Sequence, residues 1–147
     1  MTHRSVAENA ESDFTSLTGA LIGSCIEVHR ELGHGLLESS YEEALAYELE
    51  NRKIAFQHQV GLPVTYKNQQ LSCGYRLDFV AEGSVILELK AVEQLLPIHK
   101  AQCITYLRHS GLTLALLITF NVPVLKQSIQ RIILSQSKTS VHSVSLR

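Results

Sequence analysis

Leu77-Asp78-Phe79-Val80-Ala81-Glu82-Gly83-Ser84-Val85-Ile86-Leu87-Glu88-Leu89-Lys90 is the stretch whose reading decides the fold. β-Formers flank Glu82-Gly83-Ser84, so strands are expected over 71–80 and 85–91 around a turn. With a three-residue loop, Asp78 stands directly opposite Glu88 and both side chains point to one face. Opposed Cβ atoms then lie roughly 4.5–5.5 Å apart. Alternation brings Lys90 to the same face and sends Leu77, Phe79, Leu87 and Leu89 the other way, into a core. Arg76 faces Lys90 in that register. A two-residue loop would shift the pairing by one and send Asp78 and Glu88 to opposite faces.

Two carboxylates that close repel, and a fold tolerates them when a cation sits between them or one stays protonated. Oxygen ligands suit Mg²⁺, which binds through one or two carboxylates and keeps several waters. A metal so held polarises a phosphate and lowers the pKa of a bound water. A lysine beside it can position or deprotonate that water, or neutralise developing charge. The pattern therefore points to phosphodiester hydrolysis. An alternating Glu-x-Lys is also common on solvated strand faces, and the triplet taken alone favours that plainer reading.

Outward from the hairpin, the period changes. Towards the N-terminus, Phe56 to Tyr66 carries β-formers interrupted by Gly61-Leu62-Pro63, where Pro63 implies a bulge or an edge strand. Before it, apolar residues recur at helical spacing: Leu17, Leu21, Cys25, Val28 and Leu32, then Leu37, Tyr41, Leu45 and Leu49. Ser12 or Asp13 can cap the first helix, Gly33 ends it, and Gly33-His34-Gly35 makes the corner to a second helix over 37–52. Towards the C-terminus, Pro97 opens a third helix that runs to about Ser110 and stops at Gly111. Leu112 to Thr119 reads as a buried strand, Asn121-Val122-Pro123 breaks it, and 129–134 gives a last short strand. The expected architecture is a mixed α/β sheet flanked by helices, in the order α-α-β-β-β-α-β-β. One domain over 13–134 lies between a flexible tail at 1–12 and a Ser-rich tail at 135–147.

The 147 residues fit one core, and 45% hydrophobic with 18% charged residues excludes wholesale disorder. A formal net charge of −1, from 13 Lys+Arg against 14 Asp+Glu, excludes gripping duplex nucleic acid by charge alone. Such contact must be local, metal-assisted, or completed by a partner protein or a second copy in a homodimer. Cys25, Cys73 and Cys103 show no paired spacing and read as free thiols in a reducing cytoplasm. The polar opening MTHRSVAENAESD lacks a signal-peptide core, and no apolar run is long enough to cross a bilayer. A soluble cytoplasmic protein with no membrane contact is expected.

Gly35-Leu36-Leu37-Glu38-Ser39-Ser40-Tyr41 matches a G-x-x-E-x-x-Y signature. Around it stand Leu32-Gly33, Glu42-Glu43-Ala44-Leu45, Leu62-Pro63-Val64, Glu88-Leu89-Lys90-Ala91-Val92-Glu93, Ala101-Gln102 with Tyr106-Leu107, and Phe120-Asn121-Val122-Pro123. In this order, over roughly 14–134, the chain resembles the GxxExxY protein family, which looks like a branch of the PD-(D/E)XK nuclease superfamily. His34 departs from the proline expected in many relatives. The resemblance implies a mixed sheet with a nuclease-like site for Mg²⁺ or Mn²⁺ acting on nucleic acid, DNA ahead of RNA. It makes Asp78 and Glu88 metal ligands, Lys90 the catalytic lysine, and Glu38 a further member of the metal shell. Gln102 and Tyr106 are similar to a Q-x-x-x-Y element of the RecB-like exonuclease branch, on one helical face, with Gln102 orienting Lys90 or a phosphate.

Plainer readings stand beside these roles. Glu38 near a helix start favours the macrodipole, Tyr41 falls on the apolar stripe, and Gln102 and Tyr106 can simply cover the sheet. His99 and His109 read as surface residues, and His29 and His58 show no partner in the sequence. A non-cleaving nuclease-fold protein that binds or assembles, or a subunit that needs a partner, is the alternative to a nuclease.

Overall fold

The computed structural model describes residues 3–135, with side chains from residue 14 onward. Helix α1 (His3–Leu32) buries Leu21, Cys25 and Val28, a stripe at four- and three-residue spacing. It begins well ahead of the cap expected at Ser12 or Asp13. The segment read as a tail contains Ala7, Glu8, Ala10 and Glu11 and neither glycine nor proline, so helix propensity carries the backbone through it. The Ser-rich tail, beyond residue 135, lies outside the described residues. Gly33, at φ 73°, closes α1 with its N–H on the His29 carbonyl. Helix α2 (Glu38–Asn51) then buries Tyr41, Leu45 and Leu49.

Five strands follow, interrupted by one helix: β1 (Phe56–Tyr66), β2 (Gln69–Ala81), β3 (Val85–Lys90), α3 (Pro97–Ser110), β4 (Leu114–Thr119) and β5 (Ile129–Ile133). A 3-10 turn over Leu125–Ser128 precedes β5. The sheet order is β1-β2-β3-β4-β5, parallel between β3 and β4 and antiparallel elsewhere. Helix α3 makes the crossover that a parallel pair requires. It starts at Pro97 and ends on Gly111, whose φ of 79° suits a glycine. The mixed α/β class and the order of elements are those expected from the sequence.

One sheet face carries Phe79, Leu87, Leu89, Leu116 and Ile118 against α1 and α2. The other carries Val80, Ile86, Ala115 and Leu117 against Cys103, Tyr106 and Leu107 of α3. Strand β1 is an edge, and its pairing with β2 shifts between Pro63 and Thr65. Pro63 therefore meets both conditions under which a sheet accepts proline. Opposite it stands Gly74, where a Cβ would lie 2.7 Å from the Leu62 carbonyl oxygen.

Candidate metal site

The turn after β2 occupies residues 82–84, because Ala81 pairs with Val85, Val80 with Ile86 and Phe79 with Leu87. That is the three-residue register in which Asp78 faces Glu88. The ladder stops one step short of them. The two side chains take over from it: the Asp78 N–H donates to Glu88 Oε2 at 2.7 Å, and the Leu89 N–H donates to Asp78 Oδ2 at 2.8 Å. Beyond this point β3 stays with β4 as far as Lys90 and Thr119, while β2 runs on with β1. The strands part, and two carboxylates bridge the gap.

The parting changes two sequence expectations. Leu77 is buried but joins Val80 and Ile86 on the α3 side instead of sharing a face with Phe79. Its neighbour Asp78 sits where the β1–β2 ladder also skips a pair, opposite Gln59, whose φ is 56°. Arg76 pairs with Gly61 of β1 and is exposed. No ladder extends far enough to set it against Lys90.

Burial raises the pKa of both carboxylates, and mutual repulsion raises that of Glu88 further. The N–H donors and the Lys90 charge oppose the rise. Two acids this close titrate as one unit, and the pair keeps a proton at a pH where ordinary carboxylates are ionised. Glu38 is raised as well, first by burial, with Lys90 pulling it down, Glu42 adding to the rise and the Ala91 N–H again lowering it. Lys90, half-buried at the end of β3, thus acts on Glu38, Asp78 and Glu88 together.

Glu38 opens α2, and one turn later Glu42 faces the same way. Carboxylate oxygens of Glu38, Glu42 and Asp78 lie within 4.8 Å of one another. Glu42 was no part of the sequence-derived site, although its four-residue spacing from Glu38 was a usable signal. Also missed were its holders on β1. His58 Nε2 lies 3.0 Å from Glu42 Oε1, and Gln59 Nε2 donates to the same oxygen at 2.5 Å. The His58 ring stacks on Phe79 at 4.4 Å, so a histidine without a visible partner has two. His29 likewise gains one, in the Val122 carbonyl.

Helix α3 supplies the wall across the gap. Cys103 and Tyr106 are buried there, and each has its pKa pushed up to about 12, by burial first and by the Glu88 charge next. Tyr106 meets the Tyr75 ring at 5.4 Å, the packing role weighed for it. Gln102 is half-buried on the same helix and, among the described residues, donates no hydrogen bond to the carboxylates. His99 is not a plain surface residue, because its Nδ1 accepts the Leu96 N–H at the start of α3.

Over residues 15–132 the chain matches the model of the PD-(D/E)XK nuclease superfamily. It belongs to that superfamily. No curated protein and no solved structure matches it. Asp78 lies on β2, and Glu88 and Lys90 lie on β3. The converging donors are all carboxylate oxygens, without thiolate or imidazole. That is the chemistry of a hard divalent cation.

Proposed function

We propose that this PD-(D/E)XK protein hydrolyses nucleic-acid phosphodiester bonds with Mg²⁺ or Mn²⁺, and that it is of the GxxExxY type. The observation that carries this is the end of the β2–β3 ladder, where Asp78 and Glu88 bridge the strands and Asp78 meets Glu38 and Glu42. Asp78, Glu88 and Glu38 would hold the cation, with Glu42 joining them. A cation bound there supplies Lewis acidity toward a phosphate oxygen.

The chain's own residues do the rest. The two backbone N–H donors fix Asp78 and Glu88, so each keeps its second oxygen for the site. Lys90 offsets the negative charge of the acids and stands ready to orient the attacking water or stabilise the charge that develops on phosphate. Gln102 and Tyr106, on the α3 side, would contact the substrate. Cys103 and Leu107 limit water on that wall. The near-neutral chain makes local, metal-centred contact the source of affinity. Free Cys25, Cys73 and Cys103 agree with a cytoplasmic setting.

The test is cleavage of single- and double-stranded DNA and RNA with each metal, paired with calorimetry of Mn²⁺ binding. Wild-type protein is expected to cut with Mn²⁺. Lys90→Ala should lose at least about a hundredfold in rate, the scale of a lost acid–base group, with the fold intact by circular dichroism. Protein inert on every polymer, whose Mn²⁺ affinity is the same after Asp78→Ala, would instead be a non-cleaving nuclease-fold protein.

A further inference from the structure

Cross-strand register places residues of β4 and β5 in line with the metal centre, across the buried Leu117. Glu88 pairs with Leu117, which pairs with Gln130, and Lys90 pairs with Thr119. Directly paired residues share a face, so Gln130 lies in the same row as Glu88 and Thr119 stands one strand from Lys90. A cleft of about 470 Å³ opens over Thr119 and Gln130. The segment leaving β3 and the 3-10 turn before β5 form its walls.

Its chemistry differs from that of the metal centre. Gln94, Gln127 and Gln130 are exposed and present amides, while Leu95, Val122 and Pro123 supply apolar surface. Thr119 and Ser128 have their hydroxyls committed to backbone carbonyls, which leaves the glutamine amides as side-chain donors. The charged residue in the lining is an acid, Glu93. A phosphate is repelled there. A planar, uncharged group with hydrogen-bonding edges is favoured, and amide side chains pair with the edges of bases.

We propose that this cleft is a nucleobase subsite, taking the base next to the phosphate held at Asp78, Glu88 and Lys90. The proposal rests on the nuclease reading, and it adds a second point of substrate selection one to two strands away. Extended single-stranded nucleic acid, whose bases are free to splay, is the form that reaches it.

The test uses labelled single-stranded DNA and RNA octamers, bound by the full chain with Ca²⁺ and followed by fluorescence anisotropy. A matched set carries one abasic position moved along the octamer. For wild type, an abasic residue at one position should weaken binding by about tenfold, a modest value for a stacked and hydrogen-bonded base. The Gln127→Ala/Gln130→Ala protein should bind the intact octamer about tenfold less tightly and no longer respond to that position. Both glutamines are exposed, and an unchanged melting temperature confirms the variant's fold. Wild type that binds well but ignores every abasic position overturns the subsite and leaves the nuclease reading standing. Equal response of wild type and variant also overturns it. Wild type that binds no octamer overturns the subsite, and cleavage of duplexes then decides the nuclease reading.

Discussion

Gln59 sits in a left-handed backbone conformation, φ 56°, in the middle of an edge strand. A residue with a Cβ costs roughly 1–2 kcal/mol there, and such outliers persist where the surrounding contacts hold them. Here the kink delivers the Gln59 amide to Glu42 Oε1 beside the His58 ring, and Glu42 belongs to the acidic cluster. Gln59→Gly removes both the strain and the amide. It should leave the fold as stable as wild type or up to about 1 kcal/mol more stable, while Mn²⁺ affinity falls by roughly 10–100-fold, as for other groups that orient a ligand. Denaturant unfolding without metal and calorimetry with it separate the effects. An unaltered Mn²⁺ affinity would show that the brace serves the strand and not the site.

At the scale of an element, the corner between α1 and α2 explains why a glycine, a glutamate and a tyrosine stand three residues apart. Gly35 turns the chain at φ 98°, Glu38 opens α2, and Tyr41 lies one turn further on. The Tyr41 hydroxyl donates to the Gly33 carbonyl at 2.7 Å and accepts the Leu36 N–H at 3.2 Å, while its ring stacks on Phe120 at 4.5 Å. The tyrosine thus closes the loop that aims Glu38. Tyr41→Phe keeps the stack and removes both bonds, so it should cost about 1–2 kcal/mol. Thermal unfolding reads that loss, and a variant as stable as wild type would mean the corner is held by packing alone. The core role of Tyr41 was legible because it shares a helical stripe with Leu45 and Leu49, whereas Leu37, expected on that stripe, is exposed at the N-cap of α2. Its hydroxyl bonds were not, since they depend on where the corner folds back.

For the whole molecule, the crowded acids tie stability to pH. Asp78, Glu88 and Glu38 have folded pKa values above their unfolded ones, so the folded chain holds protons that the unfolded chain has released. Stability from these groups is therefore full below about pH 4, the ordinary carboxylate range, and falls as pH rises through the raised values. A divalent cation displaces those protons, and its stabilisation grows over the same range. In EDTA the melting temperature should fall from pH 5 to pH 8, and Mn²⁺ should raise it more at pH 8 than at pH 5. Glu88→Gln, which keeps an oxygen to accept the Asp78 N–H, should be roughly 1–3 kcal/mol more stable than wild type at pH 8 in EDTA. A variant that parallels wild type across the pH range would remove Glu88 from the cause.

The sequence by itself determined the order of the elements and limited the central hairpin to two registers. Helical and strand periodicity, Gly33, Pro97 and Gly111 are local signals, and a three-residue turn alone places Asp78 opposite Glu88. Only the tertiary structure decided what the carboxylates do there. The end of the ladder, the donors from Asp78 and Leu89, and the meeting of Glu42 with His58 and Gln59 join residues 10 to 17 positions apart. Those contacts depend on how β2 leaves β3 and how α2 lies against β1. Periodicity fixes which face a side chain takes within its own element, but the distance between two elements follows from packing them into one core.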